Sequence, residues 1–206
     1  MRVIAGKYRS RPLRSLRGMD IRPTADRLRE ALFNVLTAGQ PEALVGSTWL
    51  DLFAGTGAVG IEALSRGAGN VSFVESSAPA ARVVRQNLES LGIEAGFTVL
   101  QGDVIKALKK IESATKVDFI FLDPPYDFAE GYRSTLEFLS TAAFLAPKAV
   151  IIAEHVKRFD PGEKFGALAR FRKLVQGDAA LSFYRIEELR DEPREAEVER
   201  ILPGDR

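Results

Sequence analysis

The sequence predicts an α/β protein that contains a mainly parallel β-sheet with helices on both faces and an antiparallel hairpin at its C-terminal end. From residue 45 onward, short apolar segments alternate with segments of helical periodicity, as they do in repeated βαβ units. A glycine-rich turn follows the first apolar segment, and Gly177-Asp178 separates the last two. Ligands of such sheets bind at the carboxyl ends of the strands, so we expect the functional residues there.

Length and composition indicate one domain with a small addition. The chain has 206 residues, of which 46% are hydrophobic, which is enough for one α/β core but not for two. It contains no cysteine, which excludes disulfides, thiolate nucleophiles and cysteine-based zinc sites and is typical of a reducing compartment. There is no segment like a signal peptide and no apolar run of membrane-spanning length. We therefore expect a soluble cytoplasmic protein without a membrane segment and without a metal site.

The N-terminal segment is strongly basic. Residues 1–29 contain nine basic and two acidic residues, although the net charge of the whole chain is only +1. Glycine and proline among the arginines favour a short β-hairpin or an extended arm, and Thr24 is then a good N-cap for a helix with Asp26 in its first turn. The charge excess favours binding to a polyanion such as RNA. The residues predicted to contact RNA are Arg9, Arg11, Arg14, Arg22, Thr24 and Arg27.

The remaining elements follow in a regular order and divide the chain into three parts. Seven strands are predicted, at 48–53, 71–75, 97–100, 119–122, 149–153, 171–175 and 181–186. Helices are predicted over 61–66, 104–108 and 132–139, and another opens at Ser77 and closes at Gly92. Residues 1–40 then form the basic arm and its helix, and residues 41–187 form the cofactor-binding domain. Residues 188–206 form a charged tail that we expect to be poorly ordered.

The turn after the first strand has the pattern of a nucleotide-cofactor loop. Glycines at 55, 57 and 60 allow positive φ angles and close approach of a ligand to the backbone, and the N–H groups of a helix follow. Glu75 lies about 20 residues beyond Gly55, as the acidic residue of a dinucleotide site does, so an NAD-dependent oxidoreductase is one interpretation. Asp51 favours another, because a carboxylate before the loop repels a pyrophosphate but suits the ammonium and sulfonium groups of S-adenosylmethionine.

A second constellation, Asp123-Pro124-Pro125-Tyr126, follows the fourth strand. The two prolines fix an extended backbone and hold a carboxylate, a carbonyl and an aromatic ring at the edge where the cofactor loop opens. Asp123 and the Pro124 carbonyl can accept both hydrogens of an exocyclic amine while Tyr126 stacks on the base. Accepting both hydrogens favours the pyramidal amine whose lone pair can attack a methyl group. Positioning and electrostatics then provide most of the catalysis.

These motifs resemble those of the class I S-adenosylmethionine-dependent methyltransferases that modify amino groups of nucleic-acid bases. The segments 2–6, 22–24, 29–34 and 177–184 are more narrowly similar to the bacterial 16S ribosomal RNA guanine-N2 methyltransferases of the RsmD type. The resemblance spans residues 1 to about 187 and implies a Rossmann-like fold with a seven-stranded sheet. It implies that S-adenosylmethionine is bound by Asp51, Phe53, Ala54, Gly55, Thr56, Gly57, Glu75, Ser76, Asp103 and Val104, and that Asp123, Pro124, Pro125 and Tyr126 form the catalytic pocket.

The residues themselves leave the target base open. Guanine presents N1–H beside its N2 amine, two donors that one carboxylate can accept, so Asp123 favours guanine. Adenine in DNA or another RNA is the alternative, because adenine-specific enzymes share the motif of Asp123 to Tyr126. A non-catalytic ribosome assembly factor is a further alternative, since the basic arm would suffice for it. The resemblance implies a guanine of 16S ribosomal RNA in a small-subunit assembly particle, and we expect a monomer.

Overall fold

The structure is a computed structural model that describes residues 1–15, 23–125 and 128–187, with the side chains of residues 23–25 left out. Several predicted features therefore lie outside the described residues: Arg22, the side chain of Thr24, Tyr126 and the tail 188–206. Within the described ranges, no helix combines the length and the apolar character needed to cross a membrane.

One mixed sheet forms the centre of the protein, and five of its strands are parallel to one another. Its strand order is β3-β2-β1-β4-β5-β8-β7-β6, and the last three strands join β5 in antiparallel pairs. The strands are β1 Thr48–Leu52, β2 Asn70–Glu75, β3 Phe97–Gln101, β4 Val117–Leu122, β5 Leu145–Val156, β6 Lys164–Phe165, β7 Leu168–Gln176 and β8 Ala179–Ile186. The mainly parallel sheet with a C-terminal antiparallel hairpin is thus confirmed. The seven predicted strands are all present, and β6 adds an edge strand whose two residues are too few to show a periodic pattern.

Five helices accompany the sheet in the described residues. They are α1 Pro23–Thr37, α2 Ala58–Ser65, α3 Ala78–Ser90, α4 Val104–Leu108 and α5 Ala129–Leu139. Ser77 caps α3 as predicted, since its hydroxyl accepts a hydrogen bond from the amide of Ala80. The predicted N-cap Thr24 instead lies inside α1. Proline is well tolerated in the first turn of a helix, where its missing N–H is not needed, so Pro23 is already helical.

The core has two parts, one on each face of the sheet. Helices α1, α2 and α3 cover one face, where Trp49 is fully buried and its ring stacks against Phe33 and Phe119 at centroid distances of 5.5 and 4.7 Å. Helices α4 and α5 cover the other face and pack Leu108, Tyr132 and neighbouring aliphatic side chains on it. Both faces of the parallel part of the sheet are thus covered by helices, as is usual for parallel sheets.

The basic N-terminal segment packs against the body of the protein. Residues 1–15 form a hairpin-like loop, in which the Val3 amide donates to Arg11 and the Ser10 amide donates back to Val3. Val3 and Leu13 are buried in the core beside α1 and α2. Gly6 adopts a φ of 80°, and a Cβ there would lie 1.9 Å from the carbonyl oxygen of Ser65, so only glycine fits this close approach.

A buried glutamate anchors this segment on α2. Glu62 is fully buried, and its two carboxylate oxygens accept the amides of Ile4 at 2.7 Å and Ala5 at 2.9 Å. Arg66 donates to the same carboxylate at 2.8 Å, and the Arg29 Nε atom lies 3.9 Å from it. Part of the attachment of the segment to the domain thus consists of charge-assisted hydrogen bonds to one side chain, which are stronger than neutral ones.

Candidate active site

The carboxyl ends of the five parallel strands bring one acidic residue each to a common edge. Four were predicted as site residues, namely Asp51 in β1, Glu75 at the end of β2, Asp103 after β3 and Asp123 after β4. The fifth, Glu154 in β5, was missed by the sequence analysis. It directly follows the apolar run 149–153, so the same rule that identified Asp123 could have found it. These placements put the predicted cofactor and catalytic residues along one edge.

Asp51 holds the cofactor loop to the first turn of α2. Its Oδ2 atom accepts the amide of Gly60 at 2.9 Å, and the side chain is only 2% exposed. Burial raises the pKa of Asp51 to about 7, against the lowering effect of the Gly60 hydrogen bond. A cationic group beside this carboxylate would favour its ionised form, which is what the predicted contact with a methionine ammonium group requires.

Glu75 joins the cofactor loop to the segment that follows β2. Its Oε2 atom accepts the amide of Gly55 at 2.8 Å, and its Oε1 atom accepts the amide of Ser77 at 2.7 Å. The exposed Ser76 lies between these contacts. Each carboxylate oxygen has more than one acceptor site, so these bonds leave capacity for ribose hydroxyls. Glu75 therefore both shapes the loop and remains suited to its predicted role.

The loop itself is open at Gly55 and strained at Phe53. A Cβ at Gly55 would meet nothing closer than 3.9 Å, so the space beside it is free for a ligand. Phe53 has a φ of 60°, which is rare for a bulky residue and recurs at ligand-binding sites. Ala54 donates to Val74 at 3.0 Å, which fixes the loop on β2, and the Thr56 carbonyl accepts from Asn87 at 2.9 Å.

Asp103 and Val104 begin α4 at the far end of the edge. The Asp103 carboxylate accepts the Lys106 amide at 2.9 Å as the N-cap of α4, while the residue stays exposed. Val104 is buried. Asp103 can thus offer its remaining acceptor sites to the adenine amine, as predicted, from a position that the cap fixes.

The residues at this edge fit S-adenosylmethionine better than a dinucleotide. The loop is bordered by the carboxylates of Asp51, Asp123 and Glu154, each of which has a pKa raised by burial. Such an edge attracts a sulfonium and an ammonium group and repels a pyrophosphate. The described residues contain no group of three or more His, Asp or Glu side chains arranged to hold a metal ion.

The segment Asp123 to Pro125 lies beside the cofactor loop. The Asp123 amide donates to the Leu52 carbonyl at 3.4 Å, one residue before Phe53, and the Phe128 amide donates to Pro125 at 2.8 Å. Asp123 is partly exposed. Burial raises its pKa well above the ordinary value, and the nearby charges of Glu154 and Asp51 raise it further. The predicted partner Tyr126 lies outside the described residues.

Tyr132 on α5 ties the ends of β4 and β5 together. Its buried hydroxyl lies 2.8 Å from the carbonyl oxygen of Glu154 and 3.4 Å from that of Pro124. A carbonyl oxygen has two lone pairs, so Pro124 keeps acceptor capacity for a substrate amine. This tyrosine was not identified from the sequence, because nothing in its local pattern distinguishes it from an ordinary core residue of an amphipathic helix.

The predicted RNA-binding arginines of the described part fall into two groups. Arg9 and Arg27 are exposed at a depression of about 510 Å³ between the N-terminal loop and α1. Arg11 and Arg14 lie along α3, where Arg11 donates to Ser90 at 2.8 Å. Asn87 accepts the Arg14 amide at 2.8 Å and donates to Thr56, so one side chain connects the basic segment to the cofactor loop.

Comparisons with known proteins show the family to which the chain belongs. Over residues 1–185, the sequence matches the protein family described as Conserved hypothetical protein 95. The chain belongs to this family. Within it, the predicted RsmD-type resemblance is confirmed, as are the class I methyltransferase fold, a methyltransferase activity and S-adenosylmethionine as the cofactor of that class.

Individual relatives cover most of the chain. YlbH of Bacillus subtilis, named as a candidate rRNA methyltransferase, is 34% identical over 186 residues, which are 90% of this chain and 98% of the relative. The ribosomal RNA small subunit methyltransferase D of Haemophilus influenzae is 35% identical over 76% of this chain and 79% of its own length. The solved structure of yhhF from Escherichia coli, named as a candidate methyltransferase, has a TM-score of 0.75 and 28% identity over 91% of this chain and 98% of that one.

The buried carboxyls predict a pH-dependent stability. The pKa values of Asp51 and Glu154 are raised to about 7. Between pH 4.5 and about 7, the folded protein therefore retains protons that the unfolded chain releases, and the stability from these groups falls as the pH rises through this window. Replacing Glu154 by Gln removes one such group. The free energies of unfolding of both proteins are measured in urea. The value for the variant minus the value for the wild type should increase as the pH rises to about 7.

The difference between wild type and Glu154→Gln removes the pH-dependent contributions of all other titratable groups, because both proteins contain them. The buried His155 has a lowered pKa and so acts in the opposite direction, but it is unchanged in the variant. Glu94→Gln, at an exposed position before β3, provides the matched control. The difference between its free energy of unfolding and that of the wild type should stay the same across this pH range. Parallel curves for wild type and Glu154→Gln would contradict the raised pKa of Glu154.

Proposed function

We propose that this protein transfers a methyl group from S-adenosylmethionine to the exocyclic N2 amine of a guanine in 16S ribosomal RNA. The observation that carries the proposal is the meeting of two motifs at one sheet edge. The glycine loop after β1 and the segment Asp123-Pro124-Pro125 after β4 are neighbours, because β1 and β4 are paired with Leu52 opposite Leu122. A methyl donor on the loop and an amine on Asp123 would therefore be adjacent.

The cofactor would be held by the residues of the loop and of the acidic edge. Asp51 and Gly55 would contact the methionine part, Glu75 the ribose hydroxyls and Asp103 the adenine amine, from the fixed positions described above. When bound, S-adenosylmethionine supplies an electrophilic methyl group on a sulfonium centre. The negative edge would stabilise that cation, and the packing of Phe53 on the apolar core holds the loop in place.

Asp123 and Pro124 would act on the amine. The carboxylate of Asp123 accepts one N2 hydrogen and the carbonyl of Pro124 accepts the other, which directs the nitrogen lone pair away from the ring. As the new N–C bond forms, the amine must lose one proton, and Asp123 is the group positioned to accept it. Its raised pKa makes it a better proton acceptor than an ordinary aspartate. His155 has no part in this step, since it is buried against Ser182.

The basic surface supports RNA as the substrate. The exposed arginines of residues 1–15 and of α1 can bind phosphates, and the segment that carries them is joined to the cofactor loop through Arg14 and Asn87. Relatives in Haemophilus influenzae and Escherichia coli are named for the small ribosomal subunit, which is why we propose 16S RNA. We further propose that a small-subunit assembly particle presents the guanine and that the protein acts as a monomer in the cytoplasm.

The proposal is tested by transfer of labelled methyl groups from S-adenosylmethionine. The acceptors are small-subunit particles that lack the modification, naked ribosomal RNA and DNA, and digested products are analysed as nucleosides. We expect N2-methylguanosine from small-subunit RNA, with particles preferred over naked RNA. Label in N6-methyladenine would establish the adenine alternative. An absence of transfer with retained binding to particles would favour an assembly factor.

The role of the basic segment is tested by salt-dependent binding. Replacing Arg9, Arg11 and Arg14 by Ala removes three exposed charges, and each lost phosphate contact should reduce the slope of log K against log salt by about 1. Fluorescence anisotropy with an RNA segment containing the methylated site measures this slope. A control removes Lys116, Lys148 and Arg172, which are exposed at the opposite edge of the sheet. Equal slopes for the two triple variants would exclude the basic segment as the RNA contact.

A further inference from the structure

Glu154 lies where a substrate base bound to Asp123 would meet it. In the parallel pair of β4 and β5, Leu122 is opposite Ala153, so Asp123 and Glu154 are the next residues on neighbouring strands. Leu122 and Ala153 pack on the α4–α5 face. Because side chains alternate along a strand, Asp123 and Glu154 lie toward the other face, as Asp51 does. Glu154 is thus the second carboxylate beside the predicted amine position.

The Glu154 carboxylate is available to a ligand. The residue is partly exposed, and none of the described residues donates a hydrogen bond to its side chain. Its backbone is fixed by the Tyr132 hydroxyl, which also lies near the Pro124 carbonyl. One tyrosine therefore sets the relative positions of Glu154 and of the predicted amine acceptor. A carboxylate that is held in place and has no donor among the described residues is suited to accept from a substrate.

Arg29 on α1 keeps a positive charge near this carboxylate. Burial raises the pKa of Glu154 to about 7, and the Arg29 guanidinium opposes that rise. Arg29 is itself buried, and its Nε atom has no hydrogen-bond partner among the described residues. The charge of Arg29 thus acts on Glu154 through space, since the ion pairs of Arg29 in the described residues are with Asp26 and Glu62.

We infer that Glu154 is a specificity-determining residue that accepts the N1–H of the target guanine while Asp123 and Pro124 hold its N2 amine. The inference rests on the proposed function and adds the group that recognises the base. Guanine presents N1–H next to the amine, so two adjacent carboxylates match two adjacent donors. Adenine presents an unprotonated N1 next to its amine, and the lone pair of that nitrogen would face the Glu154 carboxylate. The pair of Asp123 and Glu154 therefore selects guanine against adenine.

The test replaces the base and the residue together. RNA segments carry either guanine or 2-aminopurine at the methylated position, since 2-aminopurine keeps the N2 amine but has no N1–H. Wild-type protein should prefer guanine by about 100-fold in kcat/KM, as a site that hydrogen-bonds a donor rejects an analogue without it. In Glu154→Gln, the amide can donate to the bare N1, so the preference should fall to less than about 10-fold.

Two further variants make the result specific. Glu154→Asp retains a carboxylate and should retain most of the preference for guanine, even if its turnover is slower. Glu94→Gln neutralises an exposed glutamate before β3 and should behave as the wild type. The ratio of the two rates is the decisive quantity, because loss of folded protein lowers both rates equally. Should Glu154→Gln fail to fold, Glu154→Ala decides, since it removes the acceptor without adding a donor, and a wild-type preference for guanine there overturns the inference.

Failure of the inference differs from failure of the proposed function. If wild-type protein methylates guanine N2 and Glu154→Gln keeps the wild-type preference, Glu154 does not read the base, and the inference is wrong while the function stands. If wild-type protein does not methylate guanine in any RNA or particle, the proposed function is wrong and the inference falls with it. Equal changes in Glu154→Gln and Glu94→Gln would also overturn the inference.

Discussion

Asp123→Asn should lower kcat for methyl transfer by about 10²- to 10⁴-fold, the range expected when a proton acceptor and a charge that stabilises the transition state are lost together. Asparagine has nearly the same shape, but its NH2 group would face the hydrogens of the substrate amine as a second donor, and it cannot accept the released proton. No described residue donates a hydrogen bond to the Asp123 side chain, so the fold does not depend on it. Single-turnover transfer of labelled methyl measures the effect.

Cofactor binding and stability separate this effect from a general defect. Binding of S-adenosylhomocysteine, measured by calorimetry, should be nearly unchanged, since this molecule lacks the sulfonium charge and the proposed contact of Asp123 is with the substrate amine. Thermal stability should not fall, because the change removes a charge that repels Glu154 and Asp51. Asp178→Asn, in the exposed turn between β7 and β8, is the matched control and should keep full activity. A kcat for Asp123→Asn within about 10-fold of wild type would remove Asp123 from the chemistry.

Glu62→Ala should lower the free energy of unfolding by about 3–5 kcal/mol, the cost of leaving a buried charge without its partner. The change would remove the acceptor of the Ile4 and Ala5 amides and the fully buried counter-charge of Arg29, which would keep only its ion pair with Asp26 at 3.0 Å. Glu62→Gln should have a smaller effect, because its single carbonyl can replace only part of these bonds. Unfolding in urea gives both values from the shift in the midpoint.

A surface glutamate on the neighbouring helix provides the control. Glu89 is exposed on α3, and Glu89→Ala should change the free energy of unfolding by less than about 0.5 kcal/mol. In Glu62→Ala, residues 1–15 should also become sensitive to trypsin at Lys7 and Arg9, because their docking depends on Glu62. If Glu62→Ala lost less than about 1 kcal/mol, the N-terminal segment would be held mainly by the burial of Val3 and Leu13.

Local patterns were sufficient to predict the elements of the fold. The apolar segments, the cap at Ser77, the glycine at 92 and the turn at Gly177-Asp178 each depend on residues close together in the chain, and the structure has the corresponding strands and helices. The wrong prediction, Thr24 as an N-cap, concerned a boundary where proline and threonine compete for neighbouring positions.

The sequence by itself also identified Asp51, Gly55, Glu75 and Asp123, because strand ends followed by glycine, acid or proline are recognisable without knowing how the strands are paired. What only the tertiary structure decided is which side chains meet across elements. The pairing of β4 with β5 places Glu154 beside Asp123, although 31 positions of sequence separate them. The role of Glu62 as an anchor likewise depends on the packing of the first residues of the chain against α2, which the sequence does not reveal. Such contacts depend on strand order and on helix packing, which are long-range properties that no local pattern contains.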